Sequence, residues 1–248
     1  MIVLNRKRIS VMLLVIMMGI FVFSYKTAEK EIVEEEKSVT ATPVSNKVII
    51  LDAGHGVPDE GAESSNGTTE AETNLKITLK VQQLLEQSGC TVILTRSDEN
   101  AIYSLDAKTL KEKKISDIHN RVKIGNNSSA DIFISIHLNK IPQPQYFGWQ
   151  CFYQAKSELS QKLAKSLQKS LNESIQKEND RVPMKLDNVY IIKHVEIPLS
   201  IVECGFLSNP EEEKQLLDDD YQNHLAWGIY MGIINYFNGW LREMFLCF

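Results

Sequence analysis

The chain has 248 residues, 43% of them apolar and 24% charged, and a formal net charge of −5. That length and apolar content suit one domain with a real core plus appendages, or at most two small domains. A mildly acidic chain without a basic stripe lacks the electrostatic footprint of a nucleic-acid binder, so DNA and RNA are set aside as partners.

The first element is not part of a globule. Arg6, Lys7 and Arg8 precede an almost wholly apolar run from Ile9 to Tyr25. A positive segment followed by a hydrophobic one reads as an export signal. The run is slightly short for a relaxed membrane span of ~20 residues. Residues 1–25 are therefore expected to be a signal peptide cut near Ser24, or an uncleaved membrane anchor. Basic residues ahead of the run stay in the cytoplasm, so the rest of the chain is exported. Residues 26–46 are polar, acidic and poor in large apolar side chains, which predicts a flexible linker.

From residue 47 strands and helices alternate. VIILDAG, starting at Val48, reads as a buried strand. Glu70–Ser88 reads as a helix, with Leu75, Leu79, Leu84 and Leu85 on its apolar face, Ile77 and Val81 beside them, and Gly89 as its stop. Thr69 and Glu72 have the spacing of a capping box. CTVILTR is a second strand, Ile115–Asn127 a helix, and DIFISIH a continuous apolar strand. CFYQ is a short strand, and Ser157–Glu178 a long amphipathic helix. NVYII and PLSIVECG read as further strands. Tyr221–Phe237 is the closing helix, stopped by Asn238-Gly239 and followed by an apolar tail, residues 240–248. Near-continuous apolar strands alternating with helices predict an α/β fold, a single domain over 47–239 with a mostly parallel twisted sheet of about six strands flanked by helices. Cys90, Cys151, Cys204 and Cys247 are far apart, form no CxxC pair and read as small core residues.

In open α/β sheets, ligands gather beyond the carboxyl ends of the strands. Three titratable residues fall there: His55 after VIILDAG, His137 after DIFISI and Glu203 after PLSIV. Two histidines and one carboxylate with an open fourth position make a catalytic zinc site. A lone histidine at a strand end is more often a hydrogen-bonded boundary residue; two of them beside an acid-rich loop shift the balance toward ligands. His119, His194 and His224 sit in polar contexts and read as surface residues. Asp59, Glu60, Glu63, Glu70 and Glu72 are the candidate acids. A capping role occupies Glu72, and loop carboxylates are solvated by default, which leaves Glu70, at the first helical position, as the best-placed acid. Glu203 sits in an apolar strand. Burial there raises its pKa toward neutrality, as a general base requires, although a structural ion pair fits the same pattern.

LDAGHG, EAETNL, TRSDEN, RVKIGNN with ADIFISIHLN, and IVECGFLSNPEEE together resemble the zinc-dependent N-acetylmuramoyl-L-alanine amidases of bacterial cell walls, in that family's order and over most of residues 48–237. The wording ISIHLNKIP and the anchor-like N-terminus are most similar to the germination-specific, CwlD-type members of spore formers. The resemblance implies Zn2+ held by His55, Glu70 and His137, with Glu203 as catalytic acid/base. It implies hydrolysis of the amide between N-acetylmuramic acid and L-alanine of peptidoglycan, in spore cortex maturation leading to muramic-δ-lactam and outside the cytoplasmic membrane. An activating protein partner is also implied. Arg96 and Arg121 are expected to be structural rather than substrate-orienting. Val57-Pro58 departs from the family by replacing the usual second glycine after GHG. The competing readings are a zinc peptidase of the stem peptide and a non-catalytic wall-binding protein.

Overall fold

The computed structural model describes residues 16–26 and 42–246, with side chains through residue 239. Contacts divide the chain into Met1–Ala41 and Thr42–Phe248. In the first unit, residues 16–26 form an exposed helix, α1. No helix among the described residues is long and apolar enough to cross a membrane. Residues 1–15 of the expected signal or anchor and 27–41 of the expected linker lie outside the described residues; residues 42–46 of that linker instead form a turn that buries Val44 in the core.

The second unit is an α/β fold. Its elements are β1 (Val48–Ala53), α2 (Glu70–Gln87), β2 (Thr91–Leu94), α3 (Leu110–Asn127), β3 (Ile132–Asn139), β4 (Gln150–Gln154), α4 (Glu158–Ile175), β5 (Met184–Leu186), α5 (Tyr190–His194), β6 (Leu199–Phe206), α6 (Pro210–Leu216) and α7 (Asp219–Leu246). The six strands lie in the order β2-β1-β3-β6-β4-β5. β2, β1, β3 and β6 are mutually parallel; β4 runs antiparallel to β6 and carries β5 parallel to itself.

Strand alternation assigns each side chain a face. Ile49 and Leu51 of β1, Ile132, Ile134 and Ile136 of β3, and Val202 and Cys204 of β6 point into one core with α2, α4 and α7. Ile50, Phe133, Leu199 and Ile201 point the other way, into a smaller core with Val122 of α3 and Ile191 of α5. The same parity carries Asp52, Ser135, His137 and Glu203 onto the α3–α5 face. That is how polar residues inside apolar strands come to share one side of the sheet.

Several expected boundaries move. NVYII does not form a strand; it contributes to the five-residue helix α5, too short for periodicity to separate from a strand. β5 and α6 escaped the sequence pattern, the first because it is three residues long. α3 starts five residues earlier than expected, where Thr109 and Glu112 make a reciprocal capping box. α7 runs through Asn238-Gly239 to Leu246, since one glycine among helix formers costs only ~1 kcal/mol. The core stripe of α2 is Ile77, Val81 and Leu85, while Leu79 is exposed. Cys90, Cys151 and Cys204 are free and buried, as core residues should be.

Candidate metal centre

β1, β3 and β6 lie side by side, and their carboxyl ends bring three of the predicted residues together. His137 and Glu203 are register partners across β3 and β6, so parallel pairing alone sets them next to each other. His55 follows β1 in a left-handed conformation, φ 62°. Glu70 enters from the opposite side as the first residue of α2.

Among the described residues, His55, Glu70 and His137 are the one cluster able to hold a metal, with donor atoms all within 4.8 Å of one another. Glu70 Oε1 lies 2.9 Å from His137 Nδ1 and 3.3 Å from His55 Nε2. Its two oxygens also accept from the backbone amides of Ala62 (2.9 Å) and Leu138 (3.1 Å). Burial opposes charge on Glu70, but hydrogen bonds from His137 and His55 outweigh it and hold the carboxyl far below its ordinary range. Burial likewise opposes charge on His55, yet bonds to Asp59 and Glu70 raise it to about 9. Two imidazoles and an ionised carboxylate converging on one point form a donor set that suits zinc.

Glu203 is not part of this cluster. Its Oε2 is buried without a hydrogen-bond partner among the described residues. A lone buried carboxylate oxygen is rare in folded proteins and calls for an explanation such as catalysis. Burial pushes the Glu203 carboxyl up to about 7, with Glu70 adding to the shift and the two histidines opposing it.

The turn that aims His55 is built by residues with structural jobs. Arg96 donates to the carbonyls of Ala53 (2.9 Å), Gly54 (3.0 Å) and Ala71 (2.7 Å). Arg121 donates to the carbonyls of Ala53 (2.8 Å) and His55 (2.5 Å), and pairs with Asp52 and Asp117. Both arginines are buried, so the structural expectation for them agrees with what they touch. His119, His194 and His224 are exposed, as expected.

Two readings of the loop need correction. Asp59 is not a solvated loop acid: its carboxylate sits 3.1 Å from His55 Nδ1 and fixes the ring so that Nε2 faces Glu70. Gly56 and Asp59 exchange both backbone hydrogen bonds, which carries Asp59 beneath the imidazole. Nothing in the spacing of acids signals that loop. Glu60 and Glu63 are exposed, as expected. The capping box at Thr69 is also absent. Thr69 is the N-cap residue but makes no side-chain cap, and Glu72 pairs with Lys76 in solvent. The first amides of α2 need no such cap, because Glu70 N–H donates to Ala62 O and Ala71 N–H to Glu60 O.

The comparisons with known proteins agree with this geometry. Residues 49–235 match the family profile described as N-acetylmuramoyl-L-alanine amidase. The chain is 35% identical over 195 residues to the germination-specific N-acetylmuramoyl-L-alanine amidase of Bacillus subtilis, covering 79% of this chain and 81% of that one. Among solved structures, it is similar to the CwlD amidase from Clostridioides difficile in complex with the GerS lipoprotein, at TM-score 0.76 and 44% identity over 78% of this chain and 99% of that one. It is also similar to the catalytic domain of the amidase CwlV from Bacillus (Paenibacillus) polymyxa, at TM-score 0.66 and 32% identity over 77% and 98%. With a profile match across the whole sheet and a donor set fitted to zinc, the chain belongs to the N-acetylmuramoyl-L-alanine amidase family and is a zinc-dependent hydrolase of the bond between muramic acid and L-alanine.

Proposed function

We propose that His55, Glu70 and His137 hold the zinc of this amidase and that Glu203 carries the proton. The observation that supports this most directly is the β3–β6 register, in which His137 and the half-buried Glu203 are paired strand neighbours. A bound zinc supplies Lewis-acid polarisation of the scissile carbonyl and lowers the pKa of water to about 7. Glu203, with its carboxyl raised to about 7 and lining the cavity beside the two histidines, takes a proton from the attacking water. It then delivers that proton to the alanine nitrogen as the amide breaks, near the pH where a carboxyl both accepts and donates well. Asp59 keeps the His55 ring turned toward Glu70, and the amides of Ala62 and Leu138 hold the Glu70 carboxylate in place.

The Bacillus subtilis relative is a germination-specific amidase, and we extend that role to this chain: cortex peptidoglycan as substrate and muramic-δ-lactam as the eventual product. The complex of the Clostridioides difficile amidase with a lipoprotein supports an accessory protein partner here too. In this reading residues 1–25 export or anchor the chain, 26–46 are a spacer whose last five residues dock on the domain through Val44, 47–239 are the catalytic domain, and 240–248 are a tail whose first residues continue α7. The domain then works outside the cytoplasmic membrane.

Digestion of purified peptidoglycan tests the reaction. Free amino groups on L-alanine should appear without new D-amino ends; new D-amino ends would instead mark a stem-peptide peptidase. Full activity in Glu203→Ala, or stoichiometric zinc in His137→Ala, would overturn the assigned roles.

A further inference from the structure

A cavity of about 260 Å³ opens beside His55, His137 and Glu203, on the side of the sheet covered by α3 and α5. Ile118, Val189, Tyr190, Ile191 and Ile201 make it largely apolar. Its volume falls below the roughly 300–1,000 Å³ typical of small-ligand pockets. A glycan strand continues in both directions from the muramic acid and cannot be taken into such a space. The peptide side of the scissile amide can, with the alanine against the apolar wall and the following residue toward the rim.

Two cations line this cavity, Arg121 and Lys114. Arg121 has no donor to offer. Nε and Nη2 bond Asp117, Nη1 bonds Asp52 and the Ala53 carbonyl, and Nη2 also bonds the His55 carbonyl. That accounts for all five of its N–H groups. Lys114 differs. Its side chain is 52% exposed, and its ammonium contacts one carboxylate, Asp59, at 3.1 and 3.3 Å. At least one of its three protons remains for a ligand. Asp59 in turn lies 3.1 Å from His55 Nδ1, so the ammonium rests on the same carboxylate that orients the His55 ring, beside the proposed zinc site.

From this geometry we propose that Lys114 is a specificity-determining residue, pairing with a carboxylate on the stem-peptide residue that follows the alanine. The proposal rests on the amidase reading and adds the chemistry of the peptide to it. Lys114 is a donor only. A carboxylate gives it a charge-assisted hydrogen bond, whereas the isosteric primary amide brings no charge and offers a single carbonyl oxygen. The half-exposed site keeps the discrimination modest, since solvent screens such pairs.

The test uses two synthetic N-acetylmuramoyl dipeptides that differ in one group: the second residue bears either a free α-carboxylate or its primary amide. The full chain with added zinc is expected to favour the carboxylate by about threefold in kcat/KM, mostly through KM. Lys114→Gln should bring the ratio close to one, and Lys114→Arg should keep a preference for the carboxylate. Taking the ratio cancels any effect Lys114 transmits to His55 through Asp59, because that effect falls on both substrates alike. Equal wild-type rates on the two compounds, or an unchanged ratio in Lys114→Gln, would overturn the proposal. Wild-type protein that cleaves neither compound and also frees no L-alanine amino groups from purified peptidoglycan would instead overturn the amidase reading beneath it.

Discussion

Individual residues in this site are constrained by space as much as by chemistry. A Cβ built on Gly54 would stand 2.3 Å from Cε1 and 2.7 Å from Nδ1 of His137. A Cβ on Gly61, whose φ is +72°, would stand 2.6 Å from Glu70 Oε2 and 2.7 Å from His55 Cδ2. Both glycines leave room for groups assigned here to zinc. Gly54→Ala should therefore displace the His137 ring and weaken zinc binding by roughly 10–100-fold, the range seen when the support of a metal ligand is lost. Chelator competition measures this, and an unchanged affinity would show that the ring can shift harmlessly. Glu203 makes a prediction of opposite character. Its folded pKa of about 7 lies above the ordinary carboxyl value of 4.5, so between those values the folded protein holds a proton that the unfolded chain has released. Stability from this group is present in full below the lower value and is lost as pH rises through the upper one. In metal-free protein, Glu203→Gln should gain stability relative to wild type between about pH 4.5 and 7. Urea midpoints at pH 5 and pH 8 that shift in parallel for the two proteins would contradict it.

At the scale of elements, the short helix α6 ties together loops that are far apart in sequence. Asn209 caps it and Pro210 starts it, which fixes where its adjacent carboxylates point. Glu212 accepts from the amides of Gly148 (2.8 Å) and Phe206 (2.9 Å), joining the β3–β4 loop to the end of β6. Glu213 accepts from Ser64 Oγ (2.5 Å), Asn66 Nδ2 (2.9 Å) and Thr68 Oγ1 (2.8 Å). That loop continues to Ala62, whose amide holds Glu70 Oε2. These contacts predict that Glu213 positions Glu70 through the loop. Glu213→Ala should speed amide exchange across residues 60–70 and lower zinc affinity by about tenfold, whereas a purely structural role would lower the melting temperature and leave zinc affinity alone. The contrast between α6 and the strands explains what could be read in advance. His55, His137 and Glu203 were legible because apolar strands of period two end on them and parallel sheets gather ligands at that edge. Glu70 was reached for a partly mistaken reason, since the capping box that was to occupy Glu72 is not formed. Asp59 and Glu213 were illegible as contributors. Their partners are set by loop closure and by contacts up to 149 residues away, which no local periodicity records.

At the scale of the molecule, the proposed site spans three elements whose relative positions the sheet alone does not fully fix. β1 and β3 are bonded strands, whereas α2 is held at the site by the loop after His55, by packing of Ile77, Val81 and Leu85 on the sheet, and by a few hydrogen bonds, among them Leu138 N–H to Glu70 and the Asn74 amide to the Gly54 carbonyl. Zinc on His55, Glu70 and His137 would fasten that helix to both strands. A ligand that binds the folded state alone stabilises it by about 2.7 kcal/mol at a hundredfold excess over its Kd. For a domain of this size each kcal/mol raises the melting temperature by roughly 2–4 °C, so saturating zinc should raise it by roughly 5–10 °C. The metal also needs His55 neutral. In the metal-free protein, Asp59 and Glu70 hold that ring protonated up to about pH 9, so zinc uptake at pH 7 should release a proton, and affinity should rise as pH approaches 9. Calorimetry in buffers of different ionisation enthalpy counts the proton. His137→Ala should abolish the thermal shift. Hydrogen exchange should then localise the gain: zinc is expected to slow residues 54–75 and 132–139, while the α4–α7 pair, which contacts the other face and no proposed ligand, keeps its metal-free rates. A uniform slowing across both regions would mean that zinc acts by global stabilisation and that α2 is already locked in place without it.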